Sequence, residues 1–155
     1  MRSPDTILEV LQWTDKKLKA STSDDPNVQE AMTKLREIVG RRVYHNLAPP
    51  KSTYPYILHT VENGPSVYGG FNASIASTPR LLIKCVVEGP SVLPALNAMQ
   101  CVAAILPTSE CPDSQGDVWI WASFDNVVDY AEVNKESGDP IHHYGHIYDL
   151  FAERV

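Results

Sequence analysis

The chain has 155 residues, of which 43% are hydrophobic and 21% charged, and its formal net charge is −6. These values are typical of one globular domain that buries a core without disulfides or a structural metal. The acidic balance argues against a protein whose main function is to grip nucleic acid, because such proteins need a basic surplus to displace counterions from phosphates.

Neither a membrane span nor a secretory signal is predicted. No apolar run approaches the roughly 20 residues that a membrane-spanning helix needs. The N-terminus lacks a basic stretch followed by an apolar one. The cysteines are Cys85, Cys101 and Cys111, and no two of them have C-x-x-C spacing. An odd number without such spacing favours reduced thiols in a cytosolic protein.

Two helices are predicted at the start of the chain. Ser3-Pro4-Asp5 combines an N-cap serine, a proline at the first helical position and an acid near the positive end of the helix dipole. This helix is expected to end near Ala20. Asp25-Pro26 repeats the start signal, and Gly40 is a helix stop. Between them an apolar stripe runs through Val28, Met32, Leu35 and Val39.

The rest of the chain predicts strands with one further helix among them. β-branched and aromatic residues, or strict alternation, indicate strands over residues 43–45, 54–61, 79–88, 117–124, 127–133 and 141–151. A third helix is expected to open at Ser91 and to end before Pro107. Its apolar stripe is predicted to follow Val92, Leu96, Met99, Ala103 and Leu106.

This order of elements predicts an α+β fold. Helices and strands are mostly segregated along the chain, which favours a single mixed, mostly antiparallel sheet with two to three helices packed mainly on one face. Residues 81–87 are almost all apolar, so both faces of that strand are expected to be covered. No internal repeat is visible, and one domain over residues 1–155 is expected.

The residues that could carry catalysis or bind a metal are better explained structurally. His142, His143 and His146 could bind zinc on a helix. Their neighbours favour a strand, where His142 and His146 would lie about 13 Å apart. A solvent-facing or cross-strand role without metal is therefore expected. Cys85 and Cys101 lie in apolar runs, which predicts core thiols rather than nucleophiles.

Other chemical signals are weak. Asp125, Asp129 and Glu132 are spread along a predicted strand, which favours a solvated strand face over a cation site. No glycine-rich phosphate-binding pattern occurs. The sequence therefore predicts neither an enzyme nor a cofactor.

Residues 64–78 stand apart as a long glycine-bearing segment without a sustained period. Loops of this length are uncommon in compact domains unless they are functional or disordered. Tyr68 and Phe71 are aromatic anchors in an otherwise small, polar stretch. A protein-interaction loop is predicted, formed by Gly64, Pro65, Tyr68, Gly69, Gly70, Phe71 and Asn72. The alternative is a plain extended hairpin without a partner.

Two stretches together resemble a known family. Residues 40–49 read G-R-R-V-Y-H-N-L-A-P and are followed by Tyr54-Pro55-Tyr56-Ile57. The second stretch lies near the end of the sequence and runs from Asp129-Tyr130 through Gly138-Asp139-Pro140 to His143-Tyr144-Gly145-His146-Ile147. The order of these motifs is similar to that in the tail terminator (tail completion, head-to-tail joining) proteins of long-tailed phages. The resemblance covers roughly residues 26–153, and it departs from the family at the long first helix and at residues 107–116.

The resemblance implies a structural protein without catalytic or metal residues. Members of that family form a ring, usually of six copies, that caps the head-proximal end of the tail tube in the virion after assembly in the host cytoplasm. The implied partners are further copies of the chain, the tail tube protein and a head or neck connector, with DNA passing through without specific binding and no membrane involved. The alternatives are a neck or head-closure connector and a small cytosolic hydrolase that uses Cys and His.

Overall fold

The structure, a computed structural model, describes residues 7–62, 66–68, 74–110 and 118–154. Its helices are α1 (Ile7–Lys19), α2 (Pro26–Val39) and α3 (Leu93–Ile105). Its strands are β1 (Val43–His45), β2 (Tyr56–Glu62), β3 (Ser66–Tyr68), β4 (Ser74–Ser77), β5 (Arg80–Glu88), β6 (Ser109–Glu110), β7 (Val118–Val133) and β8 (Pro140–Arg154).

The strands form one eight-stranded sheet in which β8 is central. β8 pairs with β7 on one side, and with β5 and β4 on the other. β2 lies beyond β5, and β1 forms the far edge, where it runs parallel to β2. The other described pairings are antiparallel, so the predicted mixed, mostly antiparallel sheet is confirmed.

The helices cover one face of this sheet. α1 packs on β1 and β2, α3 packs on β5 and β8, and α2 rests mainly on α3. The main core between helices and sheet includes Trp13, Leu35, Ile57, Ile83, Cys85, Met99, Ile120 and Leu150. The opposite face, called the outer face below, carries a smaller cluster of Leu58, Val86 and Ile141 under Tyr44, Tyr54 and Tyr56. On this outer face of β5 Val86 is buried, whereas Leu82 and Lys84 are only half-buried, so the predicted cover on both faces is confirmed only at that end of the strand.

The start and stop of α2 follow the predicted local chemistry. Asp25 is the N-cap, and its carboxylate accepts hydrogen bonds from the backbone N–H groups of Asn27 and Val28. Gly40 ends the helix with φ at +60°, a conformation that residues with a side chain rarely adopt. α1 ends at Lys19, next to the predicted Ala20, whereas its predicted start at residues 3–5 lies outside the described residues.

The predicted apolar stripe of α3 is confirmed at Met99 and Leu106, which are buried, and at Val92, which packs against the core, but it is wrong at Ala103. The buried side chains on the helix are Ala95, Ala98, Met99, Cys101, Val102 and Ile105, whereas Ala103 is exposed. The helix is apolar on nearly every side, so its sequence fits more than one stripe. The buried residues are a mixture of small and larger apolar side chains, and packing against the sheet and α2 selects them.

Residues 117–124 and 127–133 are predicted as two strands, but they belong to the single strand β7. The register with β8 shifts between Phe124 and Asn126, so Asp125 forms a bulge. Such a bulge moves later side chains to the other face, because side chains alternate along a strand. The alternation predicted before the bulge is confirmed, since Val118 and Ile120 are buried while Trp119 and Trp121 are exposed.

The predicted interaction loop is only partly described. The described residues within 64–78 include β3 and β4, which pair antiparallel, whereas the interaction role of the segment stays a prediction. This backbone matches the alternative of an extended hairpin. Tyr68 is the last residue of β3. The other predicted loop residues, Gly64, Pro65, Gly69, Gly70, Phe71 and Asn72, lie outside the described residues.

Candidate interaction surface

β7 presents a long free edge. Its partner β8 accompanies it from Val118 to Val133. On the other side the short strand β6 pairs only with Ile120 and Trp121, and Ala122 donates one further hydrogen bond to Thr108. From residue 123 to 133 this edge has no strand partner among the described residues. An edge strand offers a row of backbone donors and acceptors to another chain.

The same strand exposes large apolar side chains. They are Trp119, Trp121, Phe124, Val127, Tyr130 and Val133, with exposed fractions from 39% to 66%. Natural edge strands are usually short or shielded by charges and bulges, since an exposed apolar edge invites association. β7 does have acids at Asp125, Asp129 and Glu132, all exposed, together with the bulge. The strand thus combines features that oppose aggregation, namely the three acids and the bulge, with an apolar surface that a partner would cover.

An aromatic row crosses the outer face at the start of β7. The ring centres of Trp119 and Trp121 are 6.1 Å apart, and Phe151 of β8 follows 5.7 Å from Trp121. Each ring is more than a third exposed. Tryptophan and other aromatic side chains in such a row are the residue types that anchor protein interfaces.

The histidines of β8 are divided between the two faces. His143 lies on the outer face, where its Nε2 is 2.9 Å from Glu132 Oε1 and its ring stacks on Tyr130 at 4.4 Å. The Lys84 ammonium donates a 2.7 Å hydrogen bond to the Tyr130 hydroxyl. Burial lowers the pKa of His143, against the opposing effect of the Glu132 hydrogen bond. This is the cross-strand role that the sequence predicts.

His146 lies on the helix face instead. Its Nδ1 is 3.1 Å from the Tyr148 hydroxyl, and its ring meets that of Phe124 edge-on at 5.2 Å. Burial lowers the pKa of His146. Within the described residues no group of three or more His, Cys, Asp or Glu side chains is placed to hold a metal ion.

A second polar site lies at the opposite end of the sheet and is not predicted from the sequence. His59 of β2 is 1% exposed, and its Nε2 is 3.3 Å from Oδ1 of Asp15 on α1. Burial lowers the pKa of His59, while the Asp15 hydrogen bond opposes that effect. His45 of β1 is the register partner of His59, with ring centres 5.5 Å apart. The residues come from three elements, so no local motif could reveal them.

This polar pair borders a cavity of about 470 Å³ at the β1 edge. The cavity lies between α1, β1 and the segment that follows β1. Its apolar lining comes from Leu11, Val43, Leu47 and Pro49, and its polar lining from Gln12, Asp15, Lys19, Tyr44, His45 and His59. The Lys19 ammonium is 3.0 Å from the Asp15 carboxylate. The cavity therefore combines apolar lining residues with the buried imidazole of His59 and with the carboxylate of Asp15, which is paired with Lys19.

The two described cysteines are poor nucleophiles. Cys85 is fully buried, and burial raises the pKa of its thiol to about 12. Burial also raises the pKa of Cys101. The thiolate is the reactive form, and both environments disfavour it. The prediction of core thiols is confirmed for this pair, and Cys111 lies outside the described residues.

Comparison with known proteins identifies no family. No protein-family model matches the chain, and no curated protein matches it. Among solved structures, a chain from the virion of a native gene transfer agent particle is similar, with 13% sequence identity and a TM-score of 0.45. The likeness covers 82% of this chain and 92% of that chain. Similarity at this level carries no inference about function. No described helix is long and apolar enough to cross a membrane.

Proposed function

We propose that the chain is a phage structural protein of the tail terminator kind. In this role copies of the chain form a ring that closes the head-proximal end of the tail tube, stops its growth and provides the surface that joins the head. The observation that carries the proposal is the free apolar edge of β7. A long edge with this exposure is costly in an isolated subunit and useful in one that assembles.

The motifs behind the family resemblance have structural roles in this fold. Gly40 ends α2 so that the chain can turn into β1 at the sheet edge. Tyr54 and Tyr56 stack at 5.3 Å over the small outer-face cluster. Gly145 of β8 lies so close to β5 that a Cβ would be 2.4 Å from the Ile83 carbonyl oxygen. Each of these residues therefore has a role in the local packing or geometry of the sheet, as expected for a subunit whose function is assembly.

The acidic net charge suits a ring through which DNA passes. A lumen that attracted phosphates would hold the genome, whereas an acidic one lets it slide. The same charge is a poor match to a protein that binds DNA specifically. The buried cysteines with raised pKa values also leave little support for the alternative of a Cys/His hydrolase.

The test is direct binding followed by electron microscopy. The purified chain is mixed either with the tail tube protein or with the connector of the head. A terminator is expected to bind tube ends, to appear there as a ring and to halt further tube growth. A neck or head-closure protein would bind the connector and leave tube growth unchanged. Absence of binding to both would contradict the proposal.

A further inference from the structure

The β1 and β7 edges lie at opposite ends of the sheet, and they carry different side chains. β1 forms one edge, next to the cavity of about 470 Å³. This volume lies in the range of about 300–1,000 Å³ that is typical of sites that accept a bound group. Leu47, on its lining, is 81% exposed, the largest exposure among the large apolar side chains described. The β1 edge therefore carries a partly apolar cavity that no described residue of the chain fills.

The β7 edge carries exposed apolar side chains along its free part. After the bulge, Val127, Asp129 and Val133 share one face, because side chains two residues apart along a strand point the same way. Val127 is 40% exposed and Val133 66% exposed. Val127 pairs with His146 and Asp129 with Tyr144, so the two apolar side chains and the acid between them lie on the helix face of the sheet, next to its free edge.

The charges at the two edges are opposite. Arg41 precedes β1 and Lys51 follows it, and both are exposed, with no ion pair to another described residue. Asp129 is likewise exposed and has no ion pair in the described part of the chain. Complementary charges fix the register of a contact and disfavour wrong pairings. The exposed acid of the β7 edge and the exposed cations that flank β1 in the sequence are therefore complementary in charge.

We propose that the occupant of the β1-edge cavity is the β7 edge of a second copy of this chain. Val127 and Val133 of one copy enter beside Leu47 of the next, and Asp129 faces the cations that flank β1. The inference rests on the proposed function. The contact joins different surfaces of two identical subunits, so each copy is donor to one neighbour and acceptor to the other, and the series forms a ring when the rotation between neighbours closes.

Cross-linking tests the contact in the full chain with Cys111→Ser as background. Leu47→Cys and Val127→Cys are made as separate proteins, mixed and oxidised. The proposal expects a disulfide between the two variants. Trp119→Cys, which is exposed on the same strand but on the outer face, replaces Val127→Cys in the matched control and should give little product with Leu47→Cys.

Charge reversal provides the second test. Asp129→Lys is expected to weaken self-association about tenfold in sedimentation velocity, because it places like charges together. Arg41→Glu with Lys51→Glu should do the same, and mixing the two reversed proteins should restore association. Asp24→Lys, in the exposed turn between α1 and α2, changes the net charge equally and should have little effect.

The outcomes separate this inference from the proposed function. If rings form on tube ends but neither cross-link nor charge rescue appears, the inference fails and the proposed function stands. A cross-link from Val127→Cys to the tube protein instead would also overturn it, since the occupant would then be the tube. If the cross-link forms but tubes are never capped, the interface is real and the proposed function fails.

Discussion

Trp13 of α1 donates its indole N–H to the Glu110 carboxylate of β6 at 2.7 Å, across 97 residues of sequence. The other carboxylate oxygen accepts a 2.7 Å hydrogen bond from the Lys17 ammonium, one helical turn further along α1. Trp13 is 2% exposed, so its N–H is removed from water and depends on this acceptor. One side chain of the shortest strand therefore ties the first helix to the edge of the sheet.

Replacement of that carboxylate should cost stability. Glu110→Ala leaves the buried Trp13 N–H without an acceptor, and the expected loss is about 1–3 kcal/mol of unfolding free energy. Lys17→Ala removes only a partly exposed ion pair and should cost less than about 1 kcal/mol. Urea unfolding of the two variants measures both values. Equal losses would show that the Trp13 hydrogen bond does not contribute as described.

Two glycine substitutions should be harmful for different reasons. Gly145→Ala places a Cβ 2.4 Å from the Ile83 carbonyl oxygen and 2.7 Å from the Lys84 Cα, both in the neighbouring strand backbone. The strands must separate, so a loss above about 3 kcal/mol or failure to fold is expected. Gly138→Ala meets nothing within 4 Å but has φ at +77°.

The strain at Gly138 should be confined to the backbone, with a cost of about 1–2 kcal/mol. Thermal and urea unfolding of both variants provides the comparison. A mild effect of Gly145→Ala, equal to that of Gly138→Ala, would contradict the close approach of β5 and β8.

Stability should fall as the pH falls below the ordinary histidine range. The folded-state pKa of His59 is lowered from 6.5 by burial, so the unfolded chain takes up a proton at this site before the folded chain does. Unfolding is therefore favoured as the pH drops through the unfolded value, with a limiting slope of about 1.4 kcal/mol per pH unit for one proton. The stabilisation is fully present above that value.

Two variants of the Asp15–His59 pair should change the pH dependence of the unfolding free energy in opposite directions. His59→Gln removes the titration and keeps a hydrogen-bond donor toward Asp15, so the slope between about pH 7.5 and 5.5 should flatten. Asp15→Asn removes the charge that favours protonation of His59, so the slope should steepen. Urea unfolding at several pH values measures both, and identical slopes would exclude His59 as a contributor.

The histidines of β8 should act without metal. Replacing His142, His143 and His146 with Gln should leave assembly unchanged in the absence of added metal. Some loss of stability is expected from His143 because its ring stacks on Tyr130 and pairs with Glu132. Elemental analysis with a chelator-treated control measures metal content. Stoichiometric zinc, together with stability lost on chelation, would refute the prediction.

The segment around β3 and β4 remains predicted to be a recognition element. Tyr68→Ser with Phe71→Ser should leave folded subunits but yield overlong or headless tails in a phage complementation assay. The physical reason is the loss of two aromatic anchors that become buried on binding. Circular dichroism of the purified variant is the control for folding. Normal infectious particles would show that recognition lies elsewhere, on the sheet or the helices.

Much of the fold follows from local sequence chemistry. The N-cap at Asp25, the stop at Gly40 and the alternation of Val118 and Ile120 with Trp119 and Trp121 all appear where the sequence predicts them. These features depend on residues within a few positions of one another, so sequence alone suffices. The fold class follows for the same reason, since the order of elements already separates helices from strands.

Other features depend on contacts that the sequence does not encode locally. The sequence does not specify which face of α3 is buried, because nearly every side of that helix is apolar. Only the packing of its side chains in the folded protein selects the buried face. The merger of two predicted strands into β7 depends on its pairing with β8, which spans the bulge.

The candidate interaction surface shows the same division. The alternation of side chains along β7 predicts from sequence that its tryptophans are exposed. The free edge of β7 depends instead on the order of strands in the sheet, because only strand pairing decides which strand lies outermost. Asp15 and His59 are 44 residues apart in sequence, and they meet only because α1 packs on β2. The cavity at β1 depends on the same packing. The sequence by itself determined most of the elements and the faces of those with a clear apolar pattern, and the tertiary structure alone decided which edges remain free, because strand partners are chosen by long-range packing.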